Sequence, residues 1–181
     1  MTKYVALIRG IGPGDPRKTN KKLCEALETL GFADPTPVIS SGNIIFESDE
    51  RSAQKLEAII EAGWPELLGF QATTIVKSQR QLQQLVDADP FEGAIHGKSS
   101  YLLVTFFKHP IKPDFNLPFR PEGKSYKLIG QTNNALFTIT DNTVMKTTDL
   151  MAWLEKQFGK EATSRTPLTV QRILKRMDTL K

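Results

Sequence analysis

Thr36-Pro37-Val38-Ile39-Ser40-Ser41-Gly42-Asn43-Ile44-Ile45-Phe46 decides the fold. Two apolar, β-prone runs flank four small, turn-forming residues, which is the pattern of a tight hairpin. Upstream, Leu23, Ala26, Leu27 and Leu30 fall at i, i+3, i+4 and i+7 and mark one apolar stripe of a helix over residues 19–30. Gly31 stops that helix, and Phe32 folds back onto the stripe. Before it, Tyr4 to Ile8 reads as a strand. Downstream, a helix from Ser52 to Glu61 turns Leu56, Ile59 and Ile60 inward, and Ala72 to Lys77 is a further strand. The order over residues 3–77 is β-α-β-β-α-β, the ferredoxin-like split βαβ arrangement with an antiparallel sheet and helices on one face.

The remainder reads as a second α+β unit sharing that core. Ser78-Gln79-Arg80-Gln81 is a capping box opening a short helix with Leu82, Leu85 and Val86, ended by Asp89-Pro90. Tyr101 to Phe107 is a strand. Pro110, Pro113, Pro118 and Pro121 make the next stretch an irregular excursion. Lys127-Leu128-Ile129 and Ala135 to Ile139 flank Thr132-Asn133-Asn134, a second hairpin. Asp149 to Phe158 is a helix stopped by Gly159, and Thr166-Pro167 opens the last helix with a hydroxyl cap and a proline at the first helical position. The expected division is residues 1–77 and 78–181, two units packed together or one single domain.

A chain of 181 residues, 39% hydrophobic and 24% charged, buries a sizeable core without a disulfide or metal staple. No apolar stretch approaches a membrane span, and the apolar part of Met1 to Arg9 is too short for a secretory signal. Cys24 is the one cysteine, so no intrachain disulfide forms, which fits a reducing cytoplasm. A net charge of +4 permits a nucleic-acid or phosphate partner without demanding one.

Chemistry concentrates at three points. Arg9-Gly10-Ile11-Gly12-Pro13-Gly14 follows the first strand. It lacks the third glycine of a dinucleotide fingerprint, where Asp15 stands, and the Gly-Lys-Ser/Thr of a P-loop, where Arg17-Lys18-Thr19 stands. What remains is a flexible loop leading to Lys18, Lys21 and Lys22 at a helix amino terminus, which attracts anions; a turn with a solvated basic face is the plainer reading. Ser41, Gly42 and Asn43 put hydroxyl, carboxamide and amide groups at the hairpin. Thr163-Ser164-Arg165-Thr166 offers hydroxyls and a bidentate guanidinium at the last helix, suited to a phosphate or carboxylate, or simply to capping. Ser41 lacks an adjacent base, since His96 and His109 are the only histidines, so no catalytic residue is assigned. No histidine or carboxylate cluster has metal-ligand spacing, and neither metal nor cofactor is expected.

Ala6-Leu7-Ile8-Arg9-Gly10-Ile11, Leu30-Gly31-Phe32, Ser41-Gly42-Asn43-Ile44-Ile45-Phe46, Asp87-Ala88-Asp89-Pro90-Phe91 and Thr163-Ser164-Arg165 occur in this order. In that order and spacing the chain resembles the bacterial family called domain of unknown function 1697. The resemblance implies an α+β fold with ferredoxin-like elements and no assigned activity. It also implies asparagine and a small apolar residue after Arg9-Gly10-Ile11, where this chain has Gly12, Pro13 and Gly14. After Arg165 it implies Asn-Trp-Asn, where this chain has Thr166, Pro167 and Leu168.

Together these residues suggest a polar pocket for a small anionic ligand, drawn from Arg9, Gly10, Gly12, Ser41, Gly42, Asn43, Arg165 and Thr166. Two alternatives stand beside it. One is a nucleic-acid binder working by charge alone, with the basic carboxy-terminal stretch Arg172, Lys175, Arg176 and Lys181. The other is an oligomerisation or partner-binding module using Phe115, Leu117 and Phe119.

Overall fold

The computed structural model describes residues 1–144 and 146–180, so Lys181 of the basic carboxy-terminal stretch lies outside the described residues. The chain is of the α+β class, with two four-stranded antiparallel sheets and five α-helices among the described residues. Its first part runs β1 (Thr2–Ile8), α1 (Asn20–Thr29), β2 (Ala33–Pro37), β3 (Asn43–Ser48), α2 (Ala53–Gly63), a π-helical turn Trp64–Leu68, β4 (Thr74–Ser78) and α3 (Gln79–Asp87). Then follow β5 (Tyr101–Phe107), β6 (Tyr126–Thr132), β7 (Ala135–Thr140), α4 (Thr147–Phe158), β8 (Ala162–Arg165) and α5 (Pro167–Thr179). The expected β-α-β-β-α-β order is present from β1 to β4. The chain divides into two compact units: Met1–Gln84 with the residues from Gln171 onward, and Leu85–Val170.

In the first unit the strand order is β2-β3-β1-β4, antiparallel throughout. Tyr4, Ala6 and Ile8 share a face with Ile44, Phe46 and Val76, and pack against Leu23, Ala26 and Leu27 of α1 and Leu56, Ile60 and Trp64. Val5 and Leu7, on the opposite face, are equally buried. That explains why β1 is a continuous apolar run rather than an alternating one. α1 is as its stripe dictates: Thr19 caps it through the Lys22 amide, Gly31 takes a φ of +88°, and Phe32 turns back onto Phe46 at 4.7 Å between ring centroids.

Two expectations here are corrected. The strand before the hairpin is Ala33–Pro37, not Val38-Ile39, because Ile39 takes a left-handed φ of +53° that ends extended structure, although the Val38 amide still donates to Asn43 O at 2.8 Å. Ile59 is 44% exposed rather than inward, and the inward position beside Leu56 and Ile60 goes to Glu57, 4% exposed. α2 also runs past Glu61 into the π turn. There Trp64 Nε1 donates to Thr74 Oγ1 at 2.9 Å.

In the second unit the order is β6-β7-β5-β8. Leu103, Phe107, Tyr126, Leu128 and Leu136 form a core with Leu150 and Leu154 of α4. The proline-rich excursion belongs to this core. Phe115, Leu117 and Phe119 pack against it, Phe115 and Phe119 stack at 4.2 Å, and Phe119 exchanges two 2.8 Å backbone hydrogen bonds with Leu128. Thr163-Ser164-Arg165, expected as a helix-capping loop, is instead most of strand β8, paired with Val104 to Phe106 of β5.

Candidate functional site

The Arg9-Gly10-Ile11 and Ser41-Gly42-Asn43 blocks meet in the first unit. Register brings them together: β1 and β3 pair with Leu7 opposite Asn43, so the loop leaving β1 lies against the turn entering β3. The Ile8 amide donates to Gly42 O at 2.8 Å. Gly42 has a φ of +73°, and a Cβ there would lie 2.7 Å from both Ile11 Cγ1 and Ile8 O. Asn43 is fully buried, and its Nδ2 donates to Val38 O at 3.1 Å and Ser41 Oγ at 3.0 Å. These residues brace the turn. The half-buried Arg9 donates its backbone amide to Thr73 O at 2.9 Å.

Beside this junction is a cleft of about 230 Å³, bounded by Gly12 to Asp15, Lys18 to Asn20, and Ser40. A fork holds its rim. Arg17 donates to Asp15 Oδ1 through its amide at 2.9 Å and Nε at 3.0 Å, and to Oδ2 through Nη2 at 2.9 Å. Those hydrogen bonds hold the Asp15 carboxyl down to about 2. Arg17 Nη1 then reaches Gly69 O at 2.8 Å. Lys18 Nζ donates to Gly10 O at 3.2 Å, lies 3.9 Å from Asp15 Oδ2, and sits 5.1 Å above the centre of the Phe70 ring. Phe70 stacks on Trp64 at 5.9 Å. Thr19 and Asn20 open α1 beside the cleft, and Asn20 Nδ2 donates to Ile39 O at 3.3 Å. The lysine therefore stands over an aromatic ring and against glycine backbone, in a cleft that Thr19, Asn20 and Ser40 also line.

Of the residues singled out in the sequence, Gly12 lines this cleft, Gly10 holds its lysine, and Ser41, Gly42 and Asn43 form the turn that Ser40 enters. Arg165 and Thr166 belong to the second unit. Arg165 is 9% exposed, its Nη1 donates to Thr163 Oγ1 and Ser164 O at 2.8 Å each, and burial pushes its guanidinium down to about 10. Strand alternation sends Ser164 the other way, to Thr105 Oγ1 at 2.7 Å and Met151 Sδ at 3.0 Å, so the hydroxyls of this stretch do not converge. Thr166 caps α5, accepting the Thr169 amide at 3.2 Å. What sequence reasoning missed is the aromatic ring under Lys18, since nothing local to Lys18 announces Phe70.

Among the described residues, no group of three or more His, Cys, Asp and Glu could hold a metal ion, and no helix is long and apolar enough to cross a membrane. Both histidines serve locally: His96 Nδ1 accepts the Leu102 amide at 3.2 Å, and His109 lies 3.4 Å from Glu161.

An α+β chain of two four-stranded sheets, with a glycine loop locked onto a Ser-Gly-Asn turn, is what the geometry defines. Residues 1–137 match the family described as "Protein of unknown function (DUF1697)", and the chain belongs to that family. The matched stretch contains both the Arg9-Gly10-Ile11 and Ser41-Gly42-Asn43 blocks and ends before Thr163. A solved structure, that of the conserved bacterial protein SP0830 from Streptococcus pneumoniae, is similar over 99% of both chains, with a TM-score of 0.70 at 19% identity. That likeness is one of fold. No curated protein matches the chain.

Proposed function

We propose that this protein binds a small ligand carrying a phosphate or carboxylate in the cleft beside the glycine loop, in a cytoplasmic setting. The observation that carries this reading is the position of Lys18. An ammonium has three donors. One meets Gly10 O, Asp15 lies at the longer distance of 3.9 Å, and the ammonium stands 5.1 Å above the centre of the Phe70 ring. A ligand anion entering from the cleft would meet Lys18, the amides of Asn20 and Lys21 at the head of α1, and the Ser40 hydroxyl. Gly12 and Gly14 have open space where a side chain would stand, so backbone is accessible to the ligand. Arg9, Ser41 and Asn43 support the walls. Cys24 as the lone thiol suits a reducing compartment.

The test is a titration with inorganic phosphate and glycerol phosphate, followed by amide shifts in ¹H–¹⁵N spectra. Saturable shifts confined to Gly12, Gly14, Asn20 and Lys21, weakened at least tenfold in Lys18→Ala, bear the reading out. Shifts spread over Arg172, Lys175 and Arg176, shared by every polyanion and erased by salt, would replace it with charge-driven nucleic-acid binding.

A further inference from the structure

The first sheet has two outer strands, β2 and β4, and neither offers an open row of amides. In β4, Ile75 and Lys77 stand opposite Leu7 and Val5 of β1, and the residues between them turn their backbone groups the other way. Those outward amides all meet side-chain oxygens. Thr74 N–H donates to Glu61 Oε1 at 2.8 Å, Val76 N–H to Glu57 Oε1 at 2.9 Å, and Ser78 N–H to Gln81 Oε1 at 2.9 Å. The spacing fits for a simple reason. Glu57 and Glu61 are one helical turn apart, a rise of about 6 Å, and alternate residues of a strand are separated by about 6.7 Å. α2 therefore runs beside β4 with one carboxylate for each of the Thr74 and Val76 amides, and the carboxamide of Gln81, on α3, takes that of Ser78. A carboxylate accepts as a neighbouring strand's carbonyl would, but it brings no next residue to continue the ladder.

β2 reaches the same end by a different route. Val38 N–H points inward to Asn43 O, so Pro37, opposite Ile44, falls at an outward-facing position where a proline has no N–H to offer. Two independent devices at the two edges of one sheet point the same way.

We propose that Glu57, Glu61 and Gln81 guard the β4 edge against strand addition by a second copy of this chain. Strand β4 presents alternating donors and acceptors, so an unguarded edge is complementary to itself in an antiparallel, two-fold pairing. Ile75 and Val76 give it β propensity. The guard also explains why α2 buries Glu57 where its apolar pattern offers Ile59.

The experiment is sedimentation velocity and amide hydrogen exchange on the whole chain. Glu57→Ala/Glu61→Ala should exchange at Thr74 and Val76 at least tenfold faster than the parent when dilute. It should associate at concentrations where the parent does not, and recover protection as it associates. Glu57→Gln/Glu61→Gln keeps an acceptor oxygen at each place and should sediment as the parent does. If Glu57→Ala/Glu61→Ala does not fold, Glu61→Ala/Gln81→Ala leaves the buried Glu57 in place and is read the same way. Faster exchange at the edge with sedimentation unchanged at every concentration would overturn the proposal.

Discussion

Gly42 and Ile11 lie so close that a methyl group on Gly42 would stand 2.7 Å from Ile11 Cγ1, with Gly42 itself at a φ of +73°. One contact thus locks the loop leaving β1 to the turn entering β3, and only glycine permits it.

Gly42→Ala should therefore be costly. The left-handed backbone costs about 1–2 kcal/mol and the overpacking about 1–3 kcal/mol more. A Tm roughly 4–20 °C lower is expected, at about 2–4 °C per kcal/mol for a chain of this length. Gly12→Ala, where a Cβ meets nothing within 4 Å, should stay within about 0.5 kcal/mol of the parent. Thermal or urea unfolding of the pair checks both.

Asn43→Ala removes a buried carboxamide and leaves Val38 O without that donor. The expected loss is about 1–3 kcal/mol. Ser41→Ala removes the acceptor of the second bond and should cost about 0.5–1.5 kcal/mol. If both variants bind phosphate as the parent does once folded, their role is to brace the turn. Loss of binding in a folded Ser41→Ala would place Ser41 in the ligand site instead.

Burial first, and then the neighbouring Glu28 and Glu25, push the Cys24 thiol up to about 11. At pH 8 roughly one molecule in a thousand then carries the reactive thiolate. Labelling by a disulfide reagent should rise tenfold per pH unit toward pH 11 in the folded protein, and level off near the ordinary thiol value of about 8.5 in urea. The sign for stability follows: the unfolded chain loses this proton first, so stability falls as pH rises through that window. Cys24→Ala should remove that part of the slope.

Asp15 should titrate near 2, seen through its carboxyl carbon by NMR, because the Arg17 fork favours its charged form. Its folded value is depressed, so the stabilisation it gives is present above the ordinary carboxylate range and disappears as pH falls toward 2. Arg17→Ala should return the midpoint to about 3.9 and loosen the rim of the cleft, because Arg17 also ties the loop to Gly69. A midpoint unmoved in Arg17→Ala would assign the shift elsewhere.

Local rules carried most of the fold. The stripe of α1, its glycine stop and the Ser78–Gln81 capping box, closed in both directions at 2.9 and 3.3 Å, are all written within a few residues of one another. What stayed hidden depends on partners distant in the chain. β8 has no apolar alternation of its own, and β5 makes it a strand. Leu56, Ile59 and Ile60 do not say which of them faces inward until the amides of β4 claim Glu57. The helix expected to end at Glu61 continues as a π turn that carries Trp64 to Thr74. The glycine loop and the Ser-Gly-Asn turn were both legible as polar points. Their meeting is a matter of β1–β3 register, and the ring under Lys18 is supplied by Phe70.

The chain leaves the first unit after Gln84 and comes back to it at Gln171. Lys3 Nζ, near the start of β1, then donates to Met177 O and Leu180 O at the end of α5. Those two bonds of the first strand therefore form only after the chain has been made as far as α5. The inserted unit is one continuous stretch from Leu85 to Val170, whereas the first unit is completed only by residues that are synthesised after it.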